Sequence, residues 1–297
     1  MNVQILLSTY NGEKYLKEQL DSLIEQIGVN ISILVRDDGS TDSTKEILEH
    51  YQKKGFLIWY SGENLQPAYS FFDLMKKASL TKYYAFCDQD DVWDNNKLIV
   101  AVEELKKFDP EIPSMYFSKA KLVDENLNEI CNGRYPIGKF TFGTALIRNN
   151  VTGCTLVLNR KLLEQANHYT PQYVLMHDHW VYLVCLALNG NVVYDPVSHI
   201  KYRQHVGNVC GGNNSLLNRY KSSGFNDLRR IRYKIAVELF ENYHEVIPDN
   251  NLELLKKFIN YSNSFQDKLS LIFDKDIKVH SFLLDLALVI NILRSKL

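Results

Sequence analysis

Two groups of acidic side chains occur where they could do chemistry. Asp37 and Asp38 follow one short apolar run, and the tetrad Asp-Gln-Asp-Asp at 88–91 follows another. Magnesium and manganese prefer carboxylate oxygens as ligands and usually complete their shell with substrate phosphates. The tetrad therefore predicts a divalent-metal site that neutralises charge on a diphosphate leaving group. The alternative is a solvated acidic turn that caps the next helix.

The elements that position these carboxylates follow from the spacing of apolar residues. Four apolar runs, each followed by a helical pattern, predict strand-then-helix units and hence a parallel sheet with helices on both faces. The predicted strands are 3–8, 31–35, 56–60 and 83–87, and the predicted helices are 15–27, 42–54, 69–78 and 97–108. Ligands of such open sheets bind beyond the carboxyl ends of the strands. We therefore expect both acidic groups to face one crevice.

The second half of the chain has a looser pattern. It predicts strands at 115–118, around Ile147 and at 155–158, followed by a helix at 176–188. From about Gly212 onward the composition turns helical, with predicted helices at 215–241, 252–268 and 279–297. This change predicts a boundary near Gly212 between an α/β part and a helical part.

Composition and missing motifs argue against several classes of protein. The 34 Lys and Arg residues nearly balance 35 Asp and Glu residues, so no overall positive field favours nucleic acid as a partner. No G-x-G-x-x-G motif follows the first strand and no G-x-x-x-x-G-K-[ST] motif occurs, which argues against dinucleotide oxidoreductases and P-loop NTPases. Five scattered cysteines, no signal-peptide pattern and no uninterrupted apolar run of about 20 residues favour a cytoplasmic protein without a membrane span.

Five short segments together resemble glycosyltransferase family 2, the inverting, nucleotide-sugar-dependent transferases with the GT-A fold. They are Ser-Thr-Tyr-Asn-Gly at 8–12, Asp-Asp-Gly-Ser-Thr-Asp at 37–42, Asp-Gln-Asp-Asp at 88–91, His-Asp-His-Trp at 177–180 and Tyr-Arg-Gln-His at 202–205. The resemblance spans about residues 1–210 and implies an α/β fold, with a Rossmann-like, mostly parallel central sheet flanked by helices. It predicts a catalytic domain at 1–212, in which 1–110 bind the nucleotide sugar and 111–212 the acceptor, and a helical region at 213–297.

The resemblance also implies how the nucleotide is held. Asp38 would accept a hydrogen bond from the imide N–H of a uracil or thymine base, with Ser8 and Tyr10 lining the base pocket. A carboxylate suits this task because it only accepts hydrogen bonds. Asp88 would lie toward the ribose.

The implied cofactor is magnesium or manganese. Asp90 would bind the ion, and His205 would reach back over the diphosphate as a second ligand or as a donor. The alternative for His205 is a structural histidine whose hydrogen bonds are satisfied within the protein.

Inversion at the anomeric carbon needs a general base on the face opposite the departing nucleotide. The resemblance implies Asp178 for this role, although His177 stands where the family usually has Glu. His177, His179 and Trp180 could instead shape the acceptor site, and Cys154 could pack beneath the sugar. The alternatives are an Asp178 carboxylate that merely favours a helix N-terminus, and a plain strand at Cys154.

The motif variants look like the rhamnosyltransferase-like branch of the family, which builds bacterial surface polysaccharides. This implies a thymidine-diphosphate rhamnose donor and a saccharide or lipid-linked saccharide acceptor. Transfer of galactose, glucose or an N-acetylhexosamine from a uridine-diphosphate donor is the first alternative, and a non-catalytic sugar-nucleotide-binding subunit is the second. The Gln-x-x-Arg-Trp motif of processive synthases is missing, so we expect one sugar per encounter.

Two features of the helical region concern possible partners. Six basic residues between Arg219 and Lys234 could hold the protein on the anionic inner face of the membrane, at about 1 kcal/mol each. The alternative is a solvated helix face. The last helix is apolar almost all round, so it could lie in the membrane interface, form a homodimer contact or pack on the catalytic domain. Packing is the first expectation.

Overall fold

The computed structural model describes residues 1–132, 139–205, 225–278 and 281–297. Nine strands in these residues form one sheet in the order β3-β2-β1-β4-β8-β6-β9-β5, and β7 pairs with β6. The strands are β1 Asn2–Thr9, β2 Asn30–Asp37, β3 Ile58–Ser61, β4 Tyr83–Cys87, β5 Val92–Trp93, β6 Ser114–Val123, β7 Glu129–Asn132, β8 Val157–Asn159 and β9 Asn191–Arg203. The α/β class predicted from the sequence is confirmed.

Helices of the described residues follow the strands and then form the C-terminal region. Those of the α/β part are α1 Leu16–Ile24, α2 Thr44–Lys53, α3 Gln66–Lys77, α4 Lys97–Leu105, α5 Phe142–Ile147, α6 Arg160–Asn167 and α7 His177–Ala187. Those of the C-terminal part are α8 Phe225–Tyr243, α9 Asp249–Asn260, α10 Phe265–Ile272 and α11 Phe282–Leu293.

The first half has the predicted strand-then-helix order. β1 lies in parallel between β2 and β4, and β2 pairs in parallel with β3. Both faces of β1, β2 and β4 are covered over most of their length, and these strands are mostly apolar, as expected of a buried parallel sheet. The short β5, which the sequence pattern did not predict, follows β4 and precedes α4 along the chain, and in the sheet it pairs with β9.

The second half of the sheet is mixed, and two local predictions for it are wrong. β8 runs antiparallel to β4 and β6, while β6 and β9 are parallel. Ile147, a predicted strand residue, is instead the last residue of the helix α5. This helix forms because Thr141 caps its start by accepting a hydrogen bond from the Thr144 N–H at 3.2 Å. Residues Gly153–Thr155 form a 3₁₀ turn, so the predicted strand at 155–158 begins only at Val157.

The C-terminal helices share one hydrophobic core with the α/β part. Side chains of α7, such as Trp180, pack in the same cluster as Tyr243 of α8, Leu255 of α9 and Ile292 of α11. The single helix predicted at 252–268 is in fact two helices, because the chain turns after α9 and Ser264 caps α10. The predicted boundary near Gly212 lies outside the described residues, as does the start of the helix predicted at 215–241, and both stay predictions.

Within the described ranges, every helix is too short or too polar to cross a lipid bilayer.

Candidate active site

The loops after β1 and β2 are tied to each other at the carboxyl edge of the sheet. The Asp38 N–H donates to the Thr9 carbonyl at 2.8 Å, and the Gly12 N–H donates to Thr44 Oγ1 at 2.8 Å. The Asp37 carboxylate is fully buried and accepts hydrogen bonds from the Ser40 N–H and, at 2.8 Å, from Ser61 Oγ. Asp37 therefore closes the turn, and its carboxylate is committed to the hydrogen bonds with Ser40 and Ser61.

The acidic tetrad is joined to the loop after β1 through Gln89. Its Oε1 accepts from Thr9 Oγ1 at 2.6 Å and from the Tyr10 N–H at 2.9 Å. The approach is so close that a Cβ on Gly12 would lie 2.3 Å from Gln89 Oε1. The tetrad and the base-binding loops predicted from the sequence are therefore adjacent, as expected of parallel strands that end at one edge.

Asp38 lies in a buried hydrogen-bonded cluster behind the predicted base pocket. Its Oδ1 accepts from Ser70 Oγ at 2.9 Å and is paired with the Arg36 guanidinium. Ser8 Oγ is 2.7 Å from the same Ser70 hydroxyl, so the structure brings Ser8 and Asp38 together. Tyr10 lies on the adjoining loop with about half of its surface exposed (46%).

Sequence reasoning missed Arg36 and Ser70. Arg36 also donates to Asp73 Oδ2 at 2.9 Å, and it is almost completely buried. A charged residue within an otherwise apolar strand was the available signal for Arg36, because a buried charge must be paired. Ser70 carried no comparable signal.

Asp90 meets His205 across the crevice. His205 Nε2 lies 2.8 Å from Asp90 Oδ2, and each side chain keeps 14% of its surface exposed. The strand β9 ends two residues before His205 and thereby positions the imidazole beside the tetrad. The structure therefore places the two predicted metal ligands in direct contact.

The Asp88 carboxylate is close enough to Asp90 and Asp178 for their charges to affect its pKa. Burial, together with the charges of Asp90 and Asp178, raises the pKa of Asp88 to about 7. Carboxylates packed together in this way favour a bound cation, which would relieve their repulsion.

A second group of potential ligand atoms lies nearby. Ligand atoms of Asp88, Asp91 and Cys154 are within 4.8 Å of one another. Burial raises the pKa of the Cys154 thiol well above its usual range, so the thiol stays protonated and is a poor partner for a hard cation. The Asp90 carboxylate offers the oxygen ligands that magnesium and manganese prefer, and the His205 imidazole beside it could complete such a group.

Asp178 is the second residue of α7. Its Oδ1 accepts from the His179 N–H at 2.6 Å and from Asn149 Nδ2 at 3.1 Å. Gly153 lies so close that a Cβ there would be 3.4 Å from Asp178 Oδ2. Burial raises the pKa of Asp178 to about 6, and the hydrogen bonds from His179 and Asn149 oppose that rise. A carboxylate with such a pKa can take a proton near neutral pH.

His177 supports the start of α7 from below. Its ring stacks on Phe71 at 3.8 Å between centroids and meets the edge of Phe86. Burial lowers the pKa of His177 to about 3, so the imidazole is neutral. His177 therefore occupies the position of the family's usual Glu without adding a charge beside Asp178.

All four residues predicted for the acceptor site lie in the interior, including His177, of which 2% is exposed. His179 Nε2 is 2.9 Å from the Ala145 carbonyl, and Trp180 Nε1 donates to the Ala166 carbonyl at 3.3 Å. Both are completely buried, as is Cys154 beneath the tetrad. Their expected contact with an acceptor is not supported by these positions, and they instead pack the elements that carry Asp88 and Asp178.

Comparison with known proteins decides the family. The profile of Glycosyl transferase family 2 matches residues 4–165, more than half of the chain. The chain belongs to glycosyl transferase family 2. It is therefore a glycosyltransferase that uses nucleotide sugars, and the family resemblance inferred from the five motifs is confirmed.

Two curated relatives of the glycosyltransferase have informative names. It is 30% identical over 240 residues, 73% of this chain and 78% of the relative, to "dTDP-rhamnosyl transferase RfbG" of Shigella flexneri. It is 27% identical over 247 residues, 81% of this chain and 87% of the relative, to "UDP-Glc:alpha-D-GlcNAc-diphosphoundecaprenol beta-1,3-glucosyltransferase WfgD" of Escherichia coli.

Solved structures agree on the GT-A fold. S. aureus TarS 1–349 in complex with UDP-GlcNAc superposes with a TM-score of 0.63 at 20% identity, covering 100% of this glycosyltransferase and 80% of that chain. Mannosyltransferase PcManGT from Pyrobaculum calidifontis in complex with GDP-Man and Mn2+ gives a TM-score of 0.51 at 16% identity, covering 91% and 71%.

Proposed function

We propose that this glycosyltransferase is metal-dependent and inverting, and that it moves one sugar, with rhamnose favoured, from a thymidine- or uridine-diphosphate donor. The acceptor is a saccharide or lipid-linked saccharide of bacterial surface polysaccharide synthesis. The observation that carries the proposal is the 2.8 Å contact of Asp90 with His205, at the edge of the sheet where Asp178 has a pKa of about 6.

The donor base is assigned to the cluster around Asp38. The contacts of Ser70 and Arg36 orient this carboxylate, and both engage Oδ1. Oδ2 is then left to accept the imide N–H of uracil or thymine. Ser8 and Tyr10 are assigned to the same base pocket, and Asp88 is assigned to the ribose.

Asp90 and His205 are assigned as the protein ligands of magnesium or manganese. When bound, such an ion neutralises negative charge on the diphosphate leaving group. Support comes from the contact between a carboxylate and an imidazole, and from the Mn2+ in the PcManGT structure. The remaining ligands would be donor phosphate oxygens and water.

Asp178 is assigned as the general base. The acceptor hydroxyl oxygen forms a bond to the anomeric carbon as the bond from that carbon to the diphosphate oxygen breaks, and the nucleoside diphosphate leaves with the electron pair. The hydroxyl proton passes to the Asp178 carboxylate. Asn149 holds this carboxylate by a hydrogen bond to Oδ1.

The donor sugar is inferred from relatives. The name of the Shigella relative supports rhamnose, and the name of the Escherichia coli relative supports glucose as the alternative. A non-catalytic binding subunit, the remaining alternative, would bind sugar nucleotides without turnover.

The test is release of nucleoside diphosphate from a donor panel. The panel contains thymidine-diphosphate rhamnose and uridine-diphosphate galactose, glucose and N-acetylhexosamines, each with manganese, magnesium or a chelator, on the wild type and Asp90→Asn. We expect metal-dependent turnover of one donor that Asp90→Asn abolishes. Failure to bind any nucleotide in a metal-dependent manner would refute the proposal.

We also propose that α11 contacts the inner face of the membrane, where lipid-linked acceptors reside. Leu288 and Ile292 attach α11 to the body, while Phe282 (82% exposed), Leu283 (74%) and Leu286 face outward on its opposite side. Exposed Arg294 and Lys296 follow directly and suit an anionic surface. Of the basic residues between 219 and 234, only Arg232 and Lys234 have described side chains.

Vesicle binding tests this contact. We expect the wild type to sediment with vesicles that contain anionic lipid, and Phe282→Ser combined with Leu286→Ser to lose this binding while donor turnover persists. Unchanged sedimentation, or concentration-dependent dimerisation that the same substitutions abolish, would assign this face to other contacts.

A further inference from the structure

Arg203 is a buried cation behind the Asp90–His205 pair. It is the last residue of β9, and only 1% of its surface is exposed. Arginine keeps its charge in proteins, so a buried guanidinium must be balanced and hydrogen-bonded. The partners of Arg203 therefore show what its burial achieves.

The partners of Arg203 come from three separate segments of the chain. Its Nε donates to the Asp90 carbonyl at 2.8 Å, Nη1 donates to the Glu125 carbonyl, and Nη2 pairs with the carboxylate of Glu18 in α1. Its backbone N–H donates to Asp91 Oδ1 at 3.1 Å. One side chain thus joins α1, the acidic tetrad and the loop after β6.

Tyr15 extends this arrangement to the imidazole. The Arg203 guanidinium lies over the Tyr15 ring, 4.5 Å from its centroid. The His205 ring is 4.9 Å from the same ring, tilted by 33°. Arg203 therefore fixes Asp90 through its backbone carbonyl, and it fixes the setting of His205 through Tyr15 and the end of β9.

We propose that Arg203, with Glu18 as its counter-ion, is a positioning residue that holds Asp90 and His205 at the separation needed to bind a divalent cation. This inference rests on the metal-binding role given to that pair under the proposed function. Asp90 and His205 belong to loops that are far apart in sequence. Arg203 connects them, because it ends the strand that leads to His205 and its guanidinium donates a hydrogen bond to the Asp90 carbonyl. Without it, binding the ion would also have to order both loops.

The test measures Mn2+ binding directly. The full chain is titrated with Mn2+ in the presence of uridine or thymidine diphosphate, and free Mn2+ is followed by its electron paramagnetic resonance signal. Arg203→Ala should weaken Mn2+ binding by about tenfold or more, the effect typical of groups that orient metal ligands. Arg203→Lys keeps the charge but replaces the planar fork of five N–H donors by one compact ammonium, so it should restore only part of the affinity.

Glu18→Gln tests the same role without the risk that the variant fails to fold, because the Glu18 side chain is half exposed and its replacement leaves the core intact. It should weaken Mn2+ binding several-fold, with the melting temperature and the metal-free affinity for the nucleotide unchanged. The matched control is Glu164→Gln on α6, which breaks the pair between Glu164 and Arg160, whose atoms are 2.8 Å apart. The Glu164 side chain is as exposed as that of Glu18. It should bind Mn2+ as the wild type does.

The outcomes separate this inference from the proposed function. If the wild type binds Mn2+ and both Arg203→Ala and Glu18→Gln bind it equally well, the positioning role is refuted while the metal site stands. If Glu18→Gln loses Mn2+ and nucleotide affinity together with stability, its role is merely structural and the inference also falls. If the wild type binds no Mn2+, the metal role of Asp90 and His205 fails and the inference fails with it.

Discussion

The pH dependence of transfer should report the ionisation of Asp178. Burial raises the pKa of this carboxylate to about 6. The base acts only when it is deprotonated, so activity should be lost as the pH falls through about 6. Between pH 7 and pH 5 its charged fraction falls about tenfold, whereas a carboxyl with an ordinary pKa would lose only roughly a tenth of its charged form. We expect kcat at saturating donor and metal to fall about tenfold over this range.

Asn149 supplies the perturbation that identifies the group. Its Nδ2 donates to Asp178 Oδ1 at 3.1 Å and thereby favours the charged form. Removal of a hydrogen bond to a charged group is worth about 1.5 kcal/mol, or roughly one pH unit. Asn149→Ala should therefore move the acid limb of the profile from about 6 to about 7, which lowers kcat about fivefold at pH 6 and little at pH 8.

The assay is release of nucleoside diphosphate from pH 4.5 to pH 8.5. Asn167→Ala is a matched control, because it removes an amide that donates to the Met75 carbonyl at 2.8 Å, away from Asp178. The raised pKa of Asp88 gives no competing explanation for a shift in Asn149→Ala, since Asn149 bonds to Asp178. An acid limb near pH 4 in the wild type, or one that Asn149→Ala leaves in place, would refute Asp178 as the base.

Four further single substitutions give testable predictions. Asp90→Asn should abolish transfer with little change in melting temperature, and retention of most activity would contradict its metal role. Asp178→Asn should lose transfer yet keep nucleotide binding. Because the pKa of Asp178 is raised in the folded protein, its charge opposes folding increasingly as the pH rises from about 4 to about 6. Asp178→Asn should therefore be more stable than the wild type at pH 7, by up to about 3 kcal/mol, and should lose this advantage at pH 4. Denaturant unfolding at the two pH values checks this. Gly12→Ala should weaken donor binding at least several-fold, seen by calorimetric titration, because its Cβ would lie 2.3 Å from Gln89 Oε1, and unchanged affinity would show that the loop yields freely. Asn251→Ala should lower the free energy of unfolding by about 1–3 kcal/mol, measured in urea, because the Leu186 and Ala187 carbonyls at the end of α7 lose the amide that bonds to them.

Local patterns in the sequence determined much of the first half of the fold. Alternation of apolar runs with helical spacing predicted β1 to β4 and their helices, because each such element buries a face whose period is set by its own backbone. The rule that parallel strands end at one edge then brought Asp38 and Asp88 to one crevice. Motif order supplied Asp90, Asp178 and His205 as candidates.

Local patterns failed where the elements depend on capping and turn chemistry. Apolar spacing predicts a strand at Ile147, although Thr141 starts a short helix before it. The helix predicted at 252–268 divides because Ser264 begins a new one. In both cases one hydrogen-bonding side chain decides the backbone, and apolar spacing does not record it.

Only the tertiary structure decided which polar groups act together. The cluster of Arg36 and Ser70 behind Asp38, the bond from Asn149 to Asp178 and the pairing of Arg203 with Glu18 join residues distant in sequence. Burial was likewise a tertiary outcome, since it placed Trp180 in the core and raised the pKa of Asp178. The sequence by itself determined the strands and helices of the first half and the chemical types at the strand ends, because backbone periodicity and side-chain chemistry are local. Partners, exposure and ionisation depend on how distant segments pack, and they were decided by the fold.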